Sequence, residues 1–311
     1  MILSRRILLL LLLALTAGCT GLTIGYRNAD TLLAWRAHDY FDFDAMQKHE
    51  FNARIQRLLA WHRYEQLPEY AVFLNAAIGR TRNGLKSDDV VWFVDGFKSR
   101  YRLVVNRGID DAVDVLSTLT PEQLLALQKQ WDKDNRKFVS EHDLDDTLDQ
   151  RKRTRLKAML SRIKDWTGSL TNDQEQKIAA LLAPLPHIDH LRHQDRIRRQ
   201  KEFVDLLKLR ANKPEFRPLL LAWLLDWEHG RSPEYEKLST EVYEQIIQFY
   251  VAVDALLTRG QRQIVLHRLQ EYADDCKALG EKPARAAARV SGAAEFAMLL
   301  RHPAFDAYLF E

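Results

Sequence analysis

His187, His190 and His193, in the segment PHIDHLRHQD, form the most metal-like pattern in the chain. Imidazoles three residues apart on a helix are near neighbours, so two of them can share an ion. The outer pair is rotated by about 240°, or 120° the short way, so one ion cannot take all three. His187 and His190 are therefore the candidate metal pair, and solvated rings on a polar helix start are the alternative. His62 follows Ile55, Leu58 and Leu59 on one helical face, where an imidazole bonded to a neighbouring carbonyl is the expected packing. As a general base it would need an adjacent nucleophile or carboxylate. Asp39, Asp42 and Asp44 beside Tyr40, Phe41 and Phe43, together with Glu228 after Trp227, have the residue types of a paired-carboxylate glycosidase acting on the cell wall. Aspartate also marks helix ends, and nothing in the linear order fixes a separation between these groups. Cys276, in LQEYADDCKAL, reads as a small hydrophobe on a helix, with Asp274 and Asp275 raising its pKa. The chain contains no G-x-x-x-x-G-K-[ST], G-x-G-x-x-G, G-x-S-x-G or H-E-x-x-H, which argues against the familiar nucleotide, hydrolase and zincin chemistries. No catalytic residue and no cofactor is expected.

The pattern Leu-Thr-x-x-Gln occurs at Leu119, Thr120 and Gln123, at Leu170, Thr171 and Gln174, and at Leu257, Thr258 and Gln261. Threonine is a favoured N-cap and glutamine at the third helical position completes a capping box. Each copy therefore has a local cause, a helix start worth roughly 0.5–2 kcal/mol. In the first copy Pro121 suits the first helical position, and Leu119 with Leu124 forms a hydrophobic staple. Glu175 and Arg262 occupy the staple position in the other two.

Two basic runs, QRKRTRLK at 150–157 and RIRRQK at 196–201, carry the local charge, and the first surrounds an apolar stripe of Leu156, Met159, Leu160, Ile163 and Trp166. Either run suits anionic headgroups or cell-wall carboxylates, at about 1 kcal/mol per charge near a membrane. The acidic stretch EHDLDDTLD at 141–149 is placed to neutralise the first run as a salt-bridged, solvated face.

The elements that must carry these residues are helical. Only 12 Gly and 9 Pro interrupt 311 residues that are 46% hydrophobic and 29% charged, and no period-2 strand pattern stands out. Apolar spacing and Pro/Gly punctuation predict helices beginning near residue 31, through 55–62, from 87 to 116, and at about 120–140, 144–168, 171–182, 188–211, 214–229, 233–257, 258–279 and 284–301. Pro68 breaks a helix or opens the next. The expectation is an all-α fold of antiparallel helical hairpins in an extended multi-helix bundle. Pro184-Leu185-Pro186 divides it into an N-terminal half, 31–183, and a C-terminal half, 184–311, which together could form one continuous domain. Lys+Arg 46 against Asp+Glu 43 leaves a formal charge of +3, too small a bias to imply nucleic acid.

The chain opens MILSRRILLLLLLALTAGCTG: Arg5 and Arg6, an apolar run from Ile7 to Leu15, then small residues up to Gly18-Cys19. That is a signal-peptide pattern, and nine apolar residues span only about 14 Å as a helix, roughly half a bilayer core. Leu15-Thr16-Ala17-Gly18-Cys19 resembles the bacterial lipobox, in which the cysteine thiol receives a diacylglycerol; Thr16 departs from the usual leucine. The resemblance implies a signal peptide over 1–18, lipidation at Cys19, a short tether over 19–30, and membrane lipid as a partner through acylated Cys19. Thr20 stands where an inner-membrane retention aspartate would be, which implies the periplasmic face of the outer membrane.

Two family resemblances follow. The Leu-Thr-x-x-Gln copies resemble the repeated motif of the Spy-type periplasmic chaperones, shorter helical proteins with two copies that shield unfolded clients; the resemblance is limited to these pentapeptides and a little flanking helix. More widely, the lipobox, Tyr26-Arg27-Asn28, Trp35, Asp39-Tyr40-Phe41, WHRYEQLPEYA at 61–71, LTPEQ with Trp131 and Asn135, and LTRGQRQIVLHRLQEYADD at 257–275 resemble a family of proteobacterial lipoproteins of unknown function. This resemblance implies placement and helical build, and carries over no catalytic residues. The expected role is a lipid-anchored envelope protein that binds or scaffolds, with envelope proteins or peptidoglycan as partners. A Spy-like chaperone and a cell-wall enzyme are the alternatives.

Overall fold

A computed structural model describes residues 21–281, and every regular element in them is helical. Cys19, the segment 1–18 and the expected helix at 284–301 lie outside the described residues. The described part begins with α1 (Gly21–Arg27) and α2 (Ala29–Phe41), and α2 stops where Asp42 takes a left-handed φ of 46°. Asp44 then caps α3 (Ala45–Trp61).

α3 does not break at Pro68. Residues His62–Gln66 widen into one π turn and run directly into α4 (Leu67–Thr81), with Pro68 in its first turn. Proline has no N–H to offer the carbonyl four residues back. The Leu67 N–H instead bonds the His62 carbonyl five residues back. Of the two alternatives for Pro68, the molecule takes the second.

α5 (Ser87–Leu116) is the longest helix among the described residues, at 30 residues about 45 Å. Gly96 is needed where α5 crosses α4, because a Cβ there would come 2.3 Å from Phe73 Cε2. The ring of Phe73 fills that space and packs against Trp92, Phe93 and Phe97 at centroid distances of 4.7, 5.3 and 5.6 Å. Then come α6 (Pro121–Glu141), α7 (Leu148–Thr167), α8 (Asn172–Leu182), α9 (Asp189–Lys208), α10 (Lys213–Leu225), α11 (Pro233–Leu256) and α12 (Arg259–Gly280). α7 starts later than apolar spacing suggests: Asp143 adopts φ 49° and Leu144 is buried in the turn, so capping passes to Thr147. α10 ends at Leu225, where Asp226 leaves helical geometry.

Three clusters of buried side chains hold the helices together. Phe43, Ile109, Val113, Leu116, Leu119 and Leu127 meet Phe203, Leu207, Phe216 and Leu220. Met159, Ile163, Ile178 and Leu182 meet Ile246, Phe249 and Val253. Leu67 and Ala71 meet Cys276 and Leu279 beneath Leu22, Tyr26 and Tyr70. Each cluster draws residues from both sides of Pro184-Leu185-Pro186. α12 lies along α4, and α10 along α5. Most of the α7 stripe is consumed by the second cluster: Met159 and Ile163 are buried, with Leu156 and Leu160 packed on them, while Trp166 stays 38% exposed. Among the described residues no helix is long and apolar enough to cross a membrane.

The Phe73 contact makes Gly96→Ala destabilising by about 1–3 kcal/mol through overpacking, despite the roughly 1 kcal/mol that alanine gains over glycine in a helix. Urea unfolding followed by circular dichroism measures it, and an unchanged midpoint would remove the close approach from the account.

Candidate functional site

At all three Leu-Thr-x-x-Gln copies the threonine hydroxyl accepts from the glutamine N–H, and the glutamine Oε1 accepts from the threonine N–H. A fourth box lies at Phe43-Asp44-Ala45-Met46-Gln47, with Asp44 Oδ1 accepting from Gln47 N at 2.8 Å and Gln47 Oε1 from Asp44 N at 3.1 Å. Its letters differ from Leu-Thr-x-x-Gln, but its chemistry is the same: an apolar residue, an N-cap oxygen acceptor and a glutamine at the third helical position.

The four boxes meet in two pairs. Gln174 Nε2 donates to Gln261 Oε1 at 2.8 Å, and Gln261 Nε2 donates back to Gln174 Oε1 at 3.0 Å. The second hydrogen of each amide goes to a backbone carbonyl beside the partner box, Leu256 O at 2.9 Å and Ser169 O at 2.8 Å. Gln47 and Gln123 repeat the arrangement: Gln123 donates to Gln47 Oε1 at 2.6 Å and to Asp42 O at 3.1 Å, and Gln47 donates to Gln123 Oε1 at 3.1 Å and to Thr118 O at 3.0 Å. All four side chains are buried. Each amide uses both hydrogens and both lone pairs, the full capacity of the group. A glutamate in the same place would lose two donors and bring a charge into a buried site. The boxes without a staple carry ion pairs at that position instead, Glu175 with Lys164 at 2.6 Å and Arg262 with Asp254 at 2.6 Å.

The other buried polar cluster surrounds the π turn. His62 Nδ1 lies 2.8 Å from the Tyr26 hydroxyl and Nε2 lies 3.2 Å from the Tyr70 hydroxyl, so the ring is held by two phenols rather than by the carbonyl expected from its place on the apolar face. Burial lowers the His62 pKa and raises those of Tyr26 and Tyr70. Cys276 belongs to the same cluster, its thiol pushed up to about 11 by burial and then by Asp275. Neutral imidazole and phenols, hydrogen-bonded to one another, with the neutral thiol packed beside them, make a wedge between α1, α4 and α12 with no ionised nucleophile at neutral pH. Gly280 closes against it: a Cβ there would come 2.9 Å from Pro68 Cδ and 3.2 Å from the Arg63 carbonyl.

The remaining candidates are scattered. Asp42 ends α2 and Asp44 caps α3, so two of the three clustered aspartates are helix-end residues. Glu228 lies 3.6 Å from Arg231, on a different part of the chain. His190 is exposed, whereas the ring nitrogens of His187 and His193 Nε2 are buried, against the expectation of solvated rings. Among the described residues no three His, Cys, Asp or Glu side chains converge as a metal site. Clefts among the described residues include one of about 450 Å³ lined by Ile78, Arg82, Gln263, Leu266, His267 and Gln270, and one of about 210 Å³ between α2 and α3 lined by Trp35, His38, Phe43, Lys48, Phe51 and Asn52. Trp35 beside the second cleft is 60% exposed.

Several residues that carried the wider resemblance act as joints. The Tyr40 hydroxyl donates to Asp134, Asn135 and Gln200 exchange amide hydrogen bonds at 2.8 and 3.1 Å, and Trp131 meets Phe203 edge to face at 5.8 Å. The fold and its buried polar joints thus define a helical protein built on locked helix starts. Residues 39–236 match a family of unknown function (DUF6279), and the chain belongs to that family. The match contains the whole Gln47–Gln123 joint and ends before Gln261. No curated protein and no solved structure matches the chain.

Two outcomes are expected. Gln174→Glu should destabilise by about 2–4 kcal/mol, since lost buried partners cost about 1–3 kcal/mol each; chemical denaturation at neutral pH measures it, and a loss under 1 kcal/mol would contradict the joint. His62, His187 and His193 all have folded pKa values held below the ordinary 6.5. Below pH 6.5 the unfolded chain therefore binds protons that the folded chain refuses, and stability falls as pH falls. The melting temperature should drop between about pH 7.5 and about pH 5.5, more shallowly in His62→Gln, and a flat profile would contradict these assignments.

Proposed function

We propose that the protein is a lipid-anchored, periplasm-facing protein of the outer membrane, acylated at Cys19, that works as a binding scaffold without chemistry of its own. The observation that carries the binding role is the α2–α3 cleft with its exposed Trp35, close in sequence to the lipid site and backed by the Gln47–Gln123 joint. A rigid floor under an exposed aromatic lowers the ordering cost of binding. The partner in this reading is another envelope component, a protein or peptidoglycan, and no nucleic acid. The Tyr26–His62–Tyr70 cluster, neutral and bonded on both ring nitrogens, supports a structural rather than a cell-wall-cleaving role.

The Spy-like chaperone is the second reading, favoured by one observation: two of the Leu-Thr-x-x-Gln copies, those of Gln174 and Gln261, meet in one joint, and two is the number that the chaperones carry. Suppression of client aggregation by the detergent-solubilised full chain would support it, and no effect at stoichiometric excess would count against it.

The scaffold reading has two arms. Mass spectrometry of the mature chain should find acyl groups on Cys19, and globomycin should leave the precursor uncleaved; an unacylated mature chain would defeat the anchor. A photoreactive amino acid at position 35 should crosslink in the envelope to a discrete partner that competes with unlabelled wild-type protein, and a crosslinking pattern indifferent to that competition would defeat the cleft.

A further inference from the structure

The basic run at 150–157 is not neutralised by the acidic stretch before it. Asp143 is engaged by the Thr154 hydroxyl and by Gln150 Nε2, and among the described residues Arg151, Lys152, Arg153 and Lys157 form no ion pair with a carboxylate. Arg155, one turn beyond Arg151 on α7, reaches across to the elbow between α8 and α9 and donates to the carbonyls of Leu182, Leu185 and Pro186 at 3.1, 3.0 and 3.0 Å. That clamp holds His187 beside the cations of α7.

Among the described residues, both ring nitrogens of His187 and the Nε of Arg151 are buried without a hydrogen-bond partner. Buried polar atoms left unmatched are costly, so those of His187 at the elbow and of Arg151, one turn before the clamping Arg155, call for a polar occupant. The surrounding field selects its sign. Arg155, Arg151 and Lys152 act together on the His187 ring, which burial and these cations hold at about 4. Asp189, the carboxylate that opposes them, is itself held by Arg192 at 3.2 Å. A neutral imidazole offers one N–H donor and one acceptor nitrogen. With the Arg151 guanidinium and the Lys152 ammonium acting on the ring, the set complements a phosphate oxyanion, whose oxygens accept from guanidinium, ammonium and the imidazole N–H.

We propose that the first turns of α7 and the α8–α9 elbow form a site for a terminal phosphate group in which Arg151, Lys152 and His187 hold the ligand and Arg155 positions the elbow. The ligand is a free phosphate or the monoester headgroup of a lipid, and the site does not depend on acylation of Cys19.

The test follows the ¹³C–¹H imidazole resonance of His187, identified by its loss in His187→Gln, in the full chain in neutral detergent micelles at pH 7. Inorganic phosphate and dioctanoyl phosphatidic acid are titrated separately, with sodium chloride at matched ionic strength and dioctanoyl phosphatidylcholine as controls. A saturable shift with phosphate supports a site for the free anion. A saturable shift with phosphatidic acid alone supports a headgroup site. In either case the double variant Arg151→Gln/Lys152→Gln should lose the response while keeping the wild-type melting temperature, and Lys157→Gln should retain it. No saturable shift with either ligand, an equal response to chloride, or a response that survives in the double variant would overturn the proposal.

Discussion

Two pairs of buried glutamine amides set the relative position of four helix starts, and most of the architecture hangs on them. A capping box alone is a local device that satisfies orphan N–H groups at the head of one helix. Here the same Oε1 that accepts from the N-cap N–H also accepts from a second glutamine, so each local device becomes half of a long-range contact. Residues 76 and 87 positions apart in the chain are joined this way. Because every donor and acceptor is used, each joint has one geometry; a small shift would leave several buried groups unmatched at once. The first joint fixes α3 against α6 at the edge of the cluster around Phe43, Leu119 and Leu127, and the second fixes α8 against α12 beside the cluster around Ile178 and Leu182.

The wedge of Tyr26, His62 and Tyr70 does comparable work at the far end of α12. The π turn ahead of Pro68 places His62 between two phenols, and Gly280 admits the end of α12 to the same place. The joints and the wedge are polar groups buried with their partners, a combination that favours one arrangement over near alternatives. Such a body presents the α2–α3 cleft and the basic edge of α7 on its surface, where the proposed binding functions lie.

How much of this was legible in the sequence depends on the range of the interaction. The helical content, the three Leu-Thr-x-x-Gln boxes and the role of Pro121 follow from rules that act within one turn, and they can be read along the chain. The fourth box was equally local and was hidden only by its letters: Asp44 and Gln47 obey the same rule as Thr120 and Gln123. The pairing of boxes was not legible, because no periodicity links Gln47 to Gln123. The partners of His62 were hidden for the same reason, since Tyr26 lies 36 residues away. The α7 stripe shows the opposite failure: Met159 and Ile163 give the same amphipathic signal whether they face a membrane or, as here, a neighbouring helix.

The most direct measurement of the central claim is a double-mutant cycle on the first joint, comparing wild type, Gln47→Ala, Gln123→Ala and the double variant by urea unfolding at neutral pH. Contacting groups in one buried network couple by about 0.5–3 kcal/mol. The account predicts a coupling above 1 kcal/mol, with the double variant much less destabilised than the sum of the singles. Additive losses would mean that each glutamine merely caps its own helix, and would contradict it.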